Sequence, residues 1–161
     1  MRHPDADRAF STMVATVYES HLVPLLFAPY AAELAERLAR LAPTAGFEIA
    51  AGTGVVTRAG SARLPATVAI TATDLNPAML ERAIAAGTRR PVVWRQADAL
   101  ALPFADATFD AVVCQFGVMF FPDKTRAFAE ARRVLRPGGT FLFSVWDRLE
   151  ENELADTVNA A

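Results

Sequence analysis

Glu48, Gly52, Gly54, Asp74 and Asp98 are the residues whose types and spacing can do chemistry in this chain. The segment Glu48-Ile49-Ala50-Ala51-Gly52-Thr53-Gly54 follows apolar Phe47 and runs into small residues and two glycines. Asp74 closes a second run, Ile70-Thr71-Ala72-Thr73, twenty positions after Gly54. Glycines let a backbone approach a ligand closely, and a carboxylate at the tip of the next strand accepts hydrogen bonds from ribose hydroxyls. The pattern predicts a nucleoside site at a strand–turn–helix junction. The spacing disfavours a dinucleotide. Counted from Gly52, that fingerprint needs Gly or Ala at position 57, where this chain has Thr57. An acid four positions before Gly52 suits a positively charged ligand rather than a pyrophosphate.

Such residues need alternating strands and helices to position them. Helices are predicted over 8–20 and 29–41; the second carries Leu34, Leu38 and Leu41 on one stripe and ends at Pro43-Thr44-Ala45-Gly46. Strand one spans 46–51, a short helix 54–63 and strand two 67–73. Asn76 caps a helix that Pro77 opens and Gly87 ends. Strands three and four cover 92–96 and 110–115, a helix covers 123–135 up to Pro137-Gly138-Gly139, and strand five covers 140–146. This alternation predicts an α/β fold with a mainly parallel sheet, helices on both faces, and the ligand at the carboxyl ends of the strands.

Size and composition narrow the class. A chain of 161 residues matches one domain, and 53% hydrophobic content is enough for a sizeable core. A formal charge of −2 gives no electrostatic case for nucleic acid or an anionic membrane. The single cysteine, Cys114, excludes a disulfide framework within the chain and fits a reducing cytoplasm. The polar start, Met1-Arg2-His3-Pro4-Asp5, lacks the apolar core of a signal peptide. Residues 22–34 are interrupted by Pro24 and Pro29 and are too short to cross a bilayer. The expectation is a soluble cytoplasmic protein.

At these motifs the chain resembles the class I S-adenosylmethionine-dependent methyltransferases. Glu48-x-Ala50-x-Gly52-x-Gly54 matches the acidic-x-Ala-x-Gly-x-Gly form of that family's first motif, found in the branch that includes quinone-biosynthesis-type C-methyltransferases. Asp74-Leu75-Asn76-Pro77-Ala78-Met79-Leu80 resembles the ribose-binding segment. Gln96-Ala97-Asp98-Ala99-Leu100-Ala101-Leu102-Pro103-Phe104 resembles the adenine-binding segment. Phe109-Asp110-Ala111-Val112-Val113-Cys114-Gln115-Phe116 resembles the fourth strand, and Arg133-Val134-Leu135-Arg136-Pro137-Gly138-Gly139-Thr140 the turn into the fifth. These segments run in family order over about residues 46–147.

The resemblance implies a Rossmann-like three-layer αβα sandwich with strand order 3-2-1-4-5, the family's last two strands being absent from this chain. It implies N-terminal helices over 1–45 capping the cofactor site and an S-adenosylmethionine-binding core over 46–161. Glu48 would lie beneath the glycine loop, orienting backbone amides or, through water, the cofactor's ammonium; a satisfied buried acid is the competing reading. Ala50, Gly52, Thr53 and Gly54 would form the loop itself. Asp74 would bind both ribose hydroxyls, or else only cap the following helix. Leu75, with Met79 as a further candidate, would pack on the adenine. Asp98 would accept from the adenine amino group while the amide of Ala99, next to Leu100, donates to the ring. Gln115 would offer its backbone carbonyl to the methionyl ammonium and Phe116 would wall the pocket, core termini being the competing reading for both, and Tyr18 would either cover the cofactor or pack onto the sheet.

The implied reaction is transfer of a methyl group to a small or lipophilic acceptor, with S-adenosylhomocysteine as product. The alternative is a non-catalytic cofactor-binding fragment; a nicotinamide dehydrogenase is disfavoured by Thr57 and by the acid at position 48. Met119, Phe120 and Phe121 are candidates for an apolar acceptor site, or equally for a loop anchor. No general base stands out: His3 and His21 read as surface residues, and Cys114 as inert core. No cluster has metal-ligand spacing. Strand five, as an uncovered apolar edge, is expected to pair with a second copy through Phe141, Phe143 and Val145.

Overall fold

The computed structural model describes residues 12–148, 151 and 152. His3 and the first four residues of the predicted 8–20 helix lie outside the described residues. Five parallel strands form one sheet: β1 (Ala45–Glu48), β2 (Ala69–Asp74), β3 (Val93–Gln96), β4 (Phe109–Gln115) and β5 (Leu135–Ser144), in the order β3-β2-β1-β4-β5. The order and direction agree with expectation, because each helix must return the chain to the same end of the sheet before the next parallel strand can pair.

The N-terminal part differs from expectation. In place of two separate helices there is one continuous helical stretch: α1 (Thr12–Val17), a π-helical run over Tyr18–Phe27, and α2 (Ala28–Arg40). Pro24 has no amide to donate and would break an α-helical ladder. Here the turn widens instead, and the Ala28 amide bonds to the Val23 carbonyl five residues back. Pro29, the second residue of α2, likewise donates nothing to the ladder where the π run passes into α-helix. Among the described residues no helix is long and apolar enough to cross a membrane.

Among the described residues the further helices are α3 (Val55–Arg63), α4 (Pro77–Ala86) and α5 (Lys124–Val134), with a short 3-10 turn at Val118–Phe120. Ala31, Leu34 and Leu38 of α2 pack with Val56 of α3 on Ile70, Ala111 and Val113, covering one face of the sheet. Ala127, Ala131 and Val134 of α5 pack with Ala99 and Leu102 on Phe47, Val112 and Cys114, covering the other. A second difference lies in β5, which begins at Leu135 rather than after the Pro137-Gly138-Gly139 turn. Phe109 and Ala111 of β4 pair with Leu135 and Thr140, so the intervening residues of β5 bulge out, with Gly138 at φ +80°. The proline–glycine group re-registers this strand instead of preceding it.

Candidate functional site

The predicted site residues gather at the carboxyl ends of β1, β2 and β4. Beyond Glu48 the chain stays tied to both neighbouring strands: Ile49 donates to the Val113 carbonyl and Ala51 to that of Thr73, each at 2.9 Å. Between these bonds Ala50 takes φ +54°, followed by Gly52 at +55° and Gly54 at +82°. Phe116, one residue past β4, takes φ +53°. Left-handed backbone at non-glycine residues costs about 1–3 kcal/mol and concentrates at ligand sites. Two of the four such residues described, Ala50 and Phe116, stand here at adjacent strand tips.

The two glycines do different work. Around Gly52 a β-carbon would meet nothing within 4 Å, so this residue gives the loop its open face. At Gly54 a β-carbon would lie 2.8 Å from the Trp94 ring and 3.1 Å from Ala83. Gly54 therefore makes room for the protein's own indole on β3. Sequence spacing suggested ligand approach at both positions, because a contact forty residues away leaves no local trace.

Asp74 ends β2 with both oxygens engaged by backbone: Oδ2 accepts from the Gly52 amide and Oδ1 from the Asn76 amide, each at 2.8 Å. It is not the cap of α4, a role taken by Asn76, whose Oδ1 accepts from Ala78 and Met79. The glycine loop and the ribose-segment carboxylate are thus fixed to each other. The following loop joins them, the Ala97 amide donating to the Asp74 carbonyl and Gln96 Nε2 to that of Leu75. Asp98 is exposed and accepts from the Leu100 amide at 2.8 Å, forming its own turn. Leu75 and Leu100 are half-buried, while Ala99 and Met79 are buried.

Glu48 points under α3, away from solvent, and is 3% exposed. Its Oε2 accepts from the Thr57 hydroxyl, which explains a threonine where a dinucleotide fold needs Gly or Ala. Burial pushes the Glu48 carboxyl up from its ordinary 4.5 to about 8, opposed by the Thr57 hydroxyl, reinforced by the Asp74 charge and opposed by that of Arg58. A cavity of about 20 Å³, lined by Gly46, Glu48, Val56 and Thr57 among others, lies alongside and has room for one water. The satisfied-acid reading is thus met in part: one oxygen is satisfied, and the group resists ionisation.

The helical stretch lies across these strand tips. Tyr18 stacks on Phe27 at 5.1 Å. Burial, then the Asp74 and Glu19 charges, pushes the Tyr18 hydroxyl up to about 12. Glu19 pairs with Arg58 at 2.5 Å, and Arg58 also donates to the Thr53 carbonyl at 2.6 Å, tying the helix to the glycine loop. Gln115 Nε2 donates to the Phe27 carbonyl at 3.2 Å. Phe116 stacks on Trp146 at 4.0 Å, and Tyr30 meets both rings edge-on. Arg58, Phe27, Tyr30 and Trp146 were not singled out from sequence. Their partners are distant along the chain, and no short motif marks them.

Among the described residues seven buried side-chain polar atoms lack a partner, and four lie in this region: Glu19 Oε2, Thr53 Oγ1, Gln115 Oε1 and Ser144 Oγ. Other candidates stand apart. His21 is exposed and contacts only the Val17 carbonyl one turn back. Cys114 is fully buried, and burial pushes its thiol up to about 12, so it is inert at neutral pH. Met119 and Phe121 pack on the α5 core, while Phe120 is largely exposed. Among the described residues no group of His, Cys, Asp or Glu is placed to hold a metal.

Residues 47–143 match the family model described as "Methyltransferase domain". An uncharacterised protein of Mycobacterium tuberculosis is 42% identical over 101 residues, covering 62% of this chain and 36% of its own length. The ubiquinone/menaquinone biosynthesis C-methyltransferase of Saccharophagus degradans is 40% identical over 99 residues, covering 59% of this chain and 40% of its own. This chain therefore spans less than half the length of these curated relatives. A crystal structure of a proposed S-adenosyl-L-methionine-dependent methyltransferase from Methanococcus maripaludis superposes with a TM-score of 0.75 at 26% identity, covering 99% of this chain and 73% of that one.

Proposed function

Because this chain belongs to the class I S-adenosylmethionine-dependent methyltransferases, we propose that it binds the cofactor over β1, β2 and β4 and transfers its methyl group to a small or lipophilic acceptor. The observation that carries this reading is the Asp74–Gly52 lock. A carboxylate at the tip of β2 is bonded to the amide of a glycine whose other side is open. A carboxylate is an acceptor on both oxygens, which is the chemistry that ribose hydroxyls need at the tip of β2.

The local chemistry suits a cationic nucleoside. Thr53 Oγ1, 1% exposed and without a partner, supplies a hydrogen-bonding group inside the loop. An aspartate at the tip of β2 favours positive charge over phosphate. We assign Leu75 and Met79 to the adenine face, and Asp98, Ala99 and Leu100 to its polar edge. The Gln115 backbone carbonyl is assigned to the methionyl ammonium, and Phe116 and Tyr18 to the walls. On this assignment the helices up to residue 45 close the site, which keeps water from the reacting centre. Bound S-adenosylmethionine supplies a sulfonium methyl that is already electrophilic. The protein's own contribution is then alignment, a term that can reach roughly 7–11 kcal/mol. A buried, reduced Cys114 fits a cytoplasmic setting.

A second reading follows from the span of the chain against its relatives: a fragment that binds the cofactor without transferring its methyl group. Calorimetry with S-adenosylhomocysteine, paired with a transfer assay, separates the two. Binding with turnover supports the first reading, and binding without turnover the second. Asp74→Ala is expected to weaken cofactor affinity more than about tenfold, since bonds to a charged group contribute ~1.5–3 kcal/mol. Unchanged affinity would overturn the assignment of Asp74.

A further inference from the structure

Two of the unpartnered buried atoms sit side by side at the far edge of the site. Gln115 and Ser144 are register partners at the ends of β4 and β5, so their side chains leave the sheet on the same face. That face is the one covered by α2, shown by Val113 and Leu142, two positions earlier on each strand, packing with Leu34 and Leu38. The bond from Gln115 Nε2 to the Phe27 carbonyl fixes the amide orientation and leaves Oε1 as a pure acceptor with nothing to accept. Ser144 Oγ is equally without a partner, although its backbone carbonyl accepts from the Phe116 amide at 3.0 Å. Buried polar atoms are satisfied in the great majority of cases, and an orphaned one is costly. Two on paired residues at the ligand end of a parallel sheet point to a function.

Beside them stands the aromatic group of Tyr30, Phe116 and Trp146. Phe116 is buried, but Tyr30 is 48% and Trp146 38% exposed while making these contacts. The group thus presents a partly exposed apolar rim next to two unsatisfied oxygens. We propose that Gln115 Oε1 and Ser144 Oγ are the polar end of an acceptor subsite, Gln115 Oε1 taking the O–H or N–H of an apolar acceptor held against the Tyr30–Trp146 rim and Ser144 Oγ hydrogen-bonding the same group. This rests on the methyltransferase reading and narrows its substrate class. Gln115 Oε1 requires a hydrogen from the ligand, so ethers, esters and fully substituted amines are poor partners. Recognition of that hydrogen is independent of which acceptor atom receives the methyl group.

The test uses 2-naphthol and 2-methoxynaphthalene, which share a ring system and differ in the donor hydrogen. Each is titrated calorimetrically into the protein, with and without saturating S-adenosylhomocysteine. We expect 2-naphthol to bind about tenfold tighter than the ether, as a hydrogen bond to an otherwise orphaned buried group allows. Gln115→Met should reduce that preference to within about twofold without weakening binding of the ether, and Ser144→Ala, which removes a hydroxyl able to bond either compound's oxygen, should weaken 2-naphthol binding at least about threefold. Ser144→Ala removes no side-chain hydrogen bond seen in the structure, so it keeps the test valid should Gln115→Met fail to fold. Equal affinity for the two compounds, no binding of either, or an unchanged affinity for 2-naphthol in Ser144→Ala overturns the subsite. Failure of S-adenosylhomocysteine to bind overturns the cofactor reading instead, and the naphthol preference measured without it still decides the subsite.

Discussion

Replacing Glu48 by glutamine isolates the buried acid beneath the glycine loop. The folded protein holds this carboxyl near 8 against an ordinary 4.5, with burial as the largest cause. At about 1.4 kcal/mol per pH unit, ionising it inside the fold costs up to about 5 kcal/mol more than in the unfolded chain. The sign follows from proton counting. Between pH 4.5 and 8 the folded state keeps a proton that the unfolded chain has released, so stability falls as pH rises across that window. Below the window the contribution is fully present, and above it the contribution is gone. Glutamine fills the same space, still accepts from Thr57, and cannot ionise. In urea denaturation, Glu48→Gln should therefore match the parent near pH 5 and exceed it by about 2–5 kcal/mol at pH 8.5. Groups titrating elsewhere are common to both proteins and cancel in the difference. Parallel stability profiles from pH 5 to 9 would refute the buried-proton account. The same proton connects to the cofactor. A sulfonium favours the ionised carboxyl, so affinity for S-adenosylmethionine relative to S-adenosylhomocysteine should rise from pH 6 to 8 in the parent and stay level in Glu48→Gln.

Gly54→Ala places a methyl group 2.8 Å from the Trp94 ring at a φ of +82°, and should cost about 1–3 kcal/mol in a denaturant melt. Gly52→Ala meets no neighbour and should lose less stability than Gly54→Ala but more cofactor affinity; the reverse ranking would contradict the division of labour between the two glycines. Phe143 on β5 and Val145 just past its end, each 48% exposed, are expected to bring two copies together by edge pairing or exchange of a C-terminal segment. Sedimentation at micromolar concentration checks this, and a monomer there would refute it.

What could be read from the chain was whatever neighbouring residues decide among themselves. The alternation of apolar runs with helical segments predicts a parallel sheet, the family resemblance supplies its strand order, and Asn76-Pro77 marks the start of α4 because cap and first turn are local chemistry. Pro24 and Pro137-Gly138-Gly139 were misleading for a common reason. Each is a local break that the surrounding structure absorbs, by a π turn in one case and a bulge in β5 in the other. Long-range geometry at the site was hidden for a different reason. Gln115 reaches the Phe27 carbonyl across 88 positions, and Arg58 reaches Glu19 across 39. Neither pairing has a spacing rule.

These two bonds also govern how the site can work. The helical stretch over Tyr18–Phe27 touches the glycine loop through Glu19–Arg58, and the tip of β4 through Phe27–Gln115. The two contacts thus share one helical element. Glu19 Oε2, Thr53 Oγ1 and Gln115 Oε1, left unpartnered along that element and the tips it covers, mark where binding can recover free energy that folding alone leaves unclaimed. A nucleoside on the β1–β2 side and an acceptor on the β4–β5 side would meet under the same helix, so that the order of their binding is set by the contacts it makes to each strand tip.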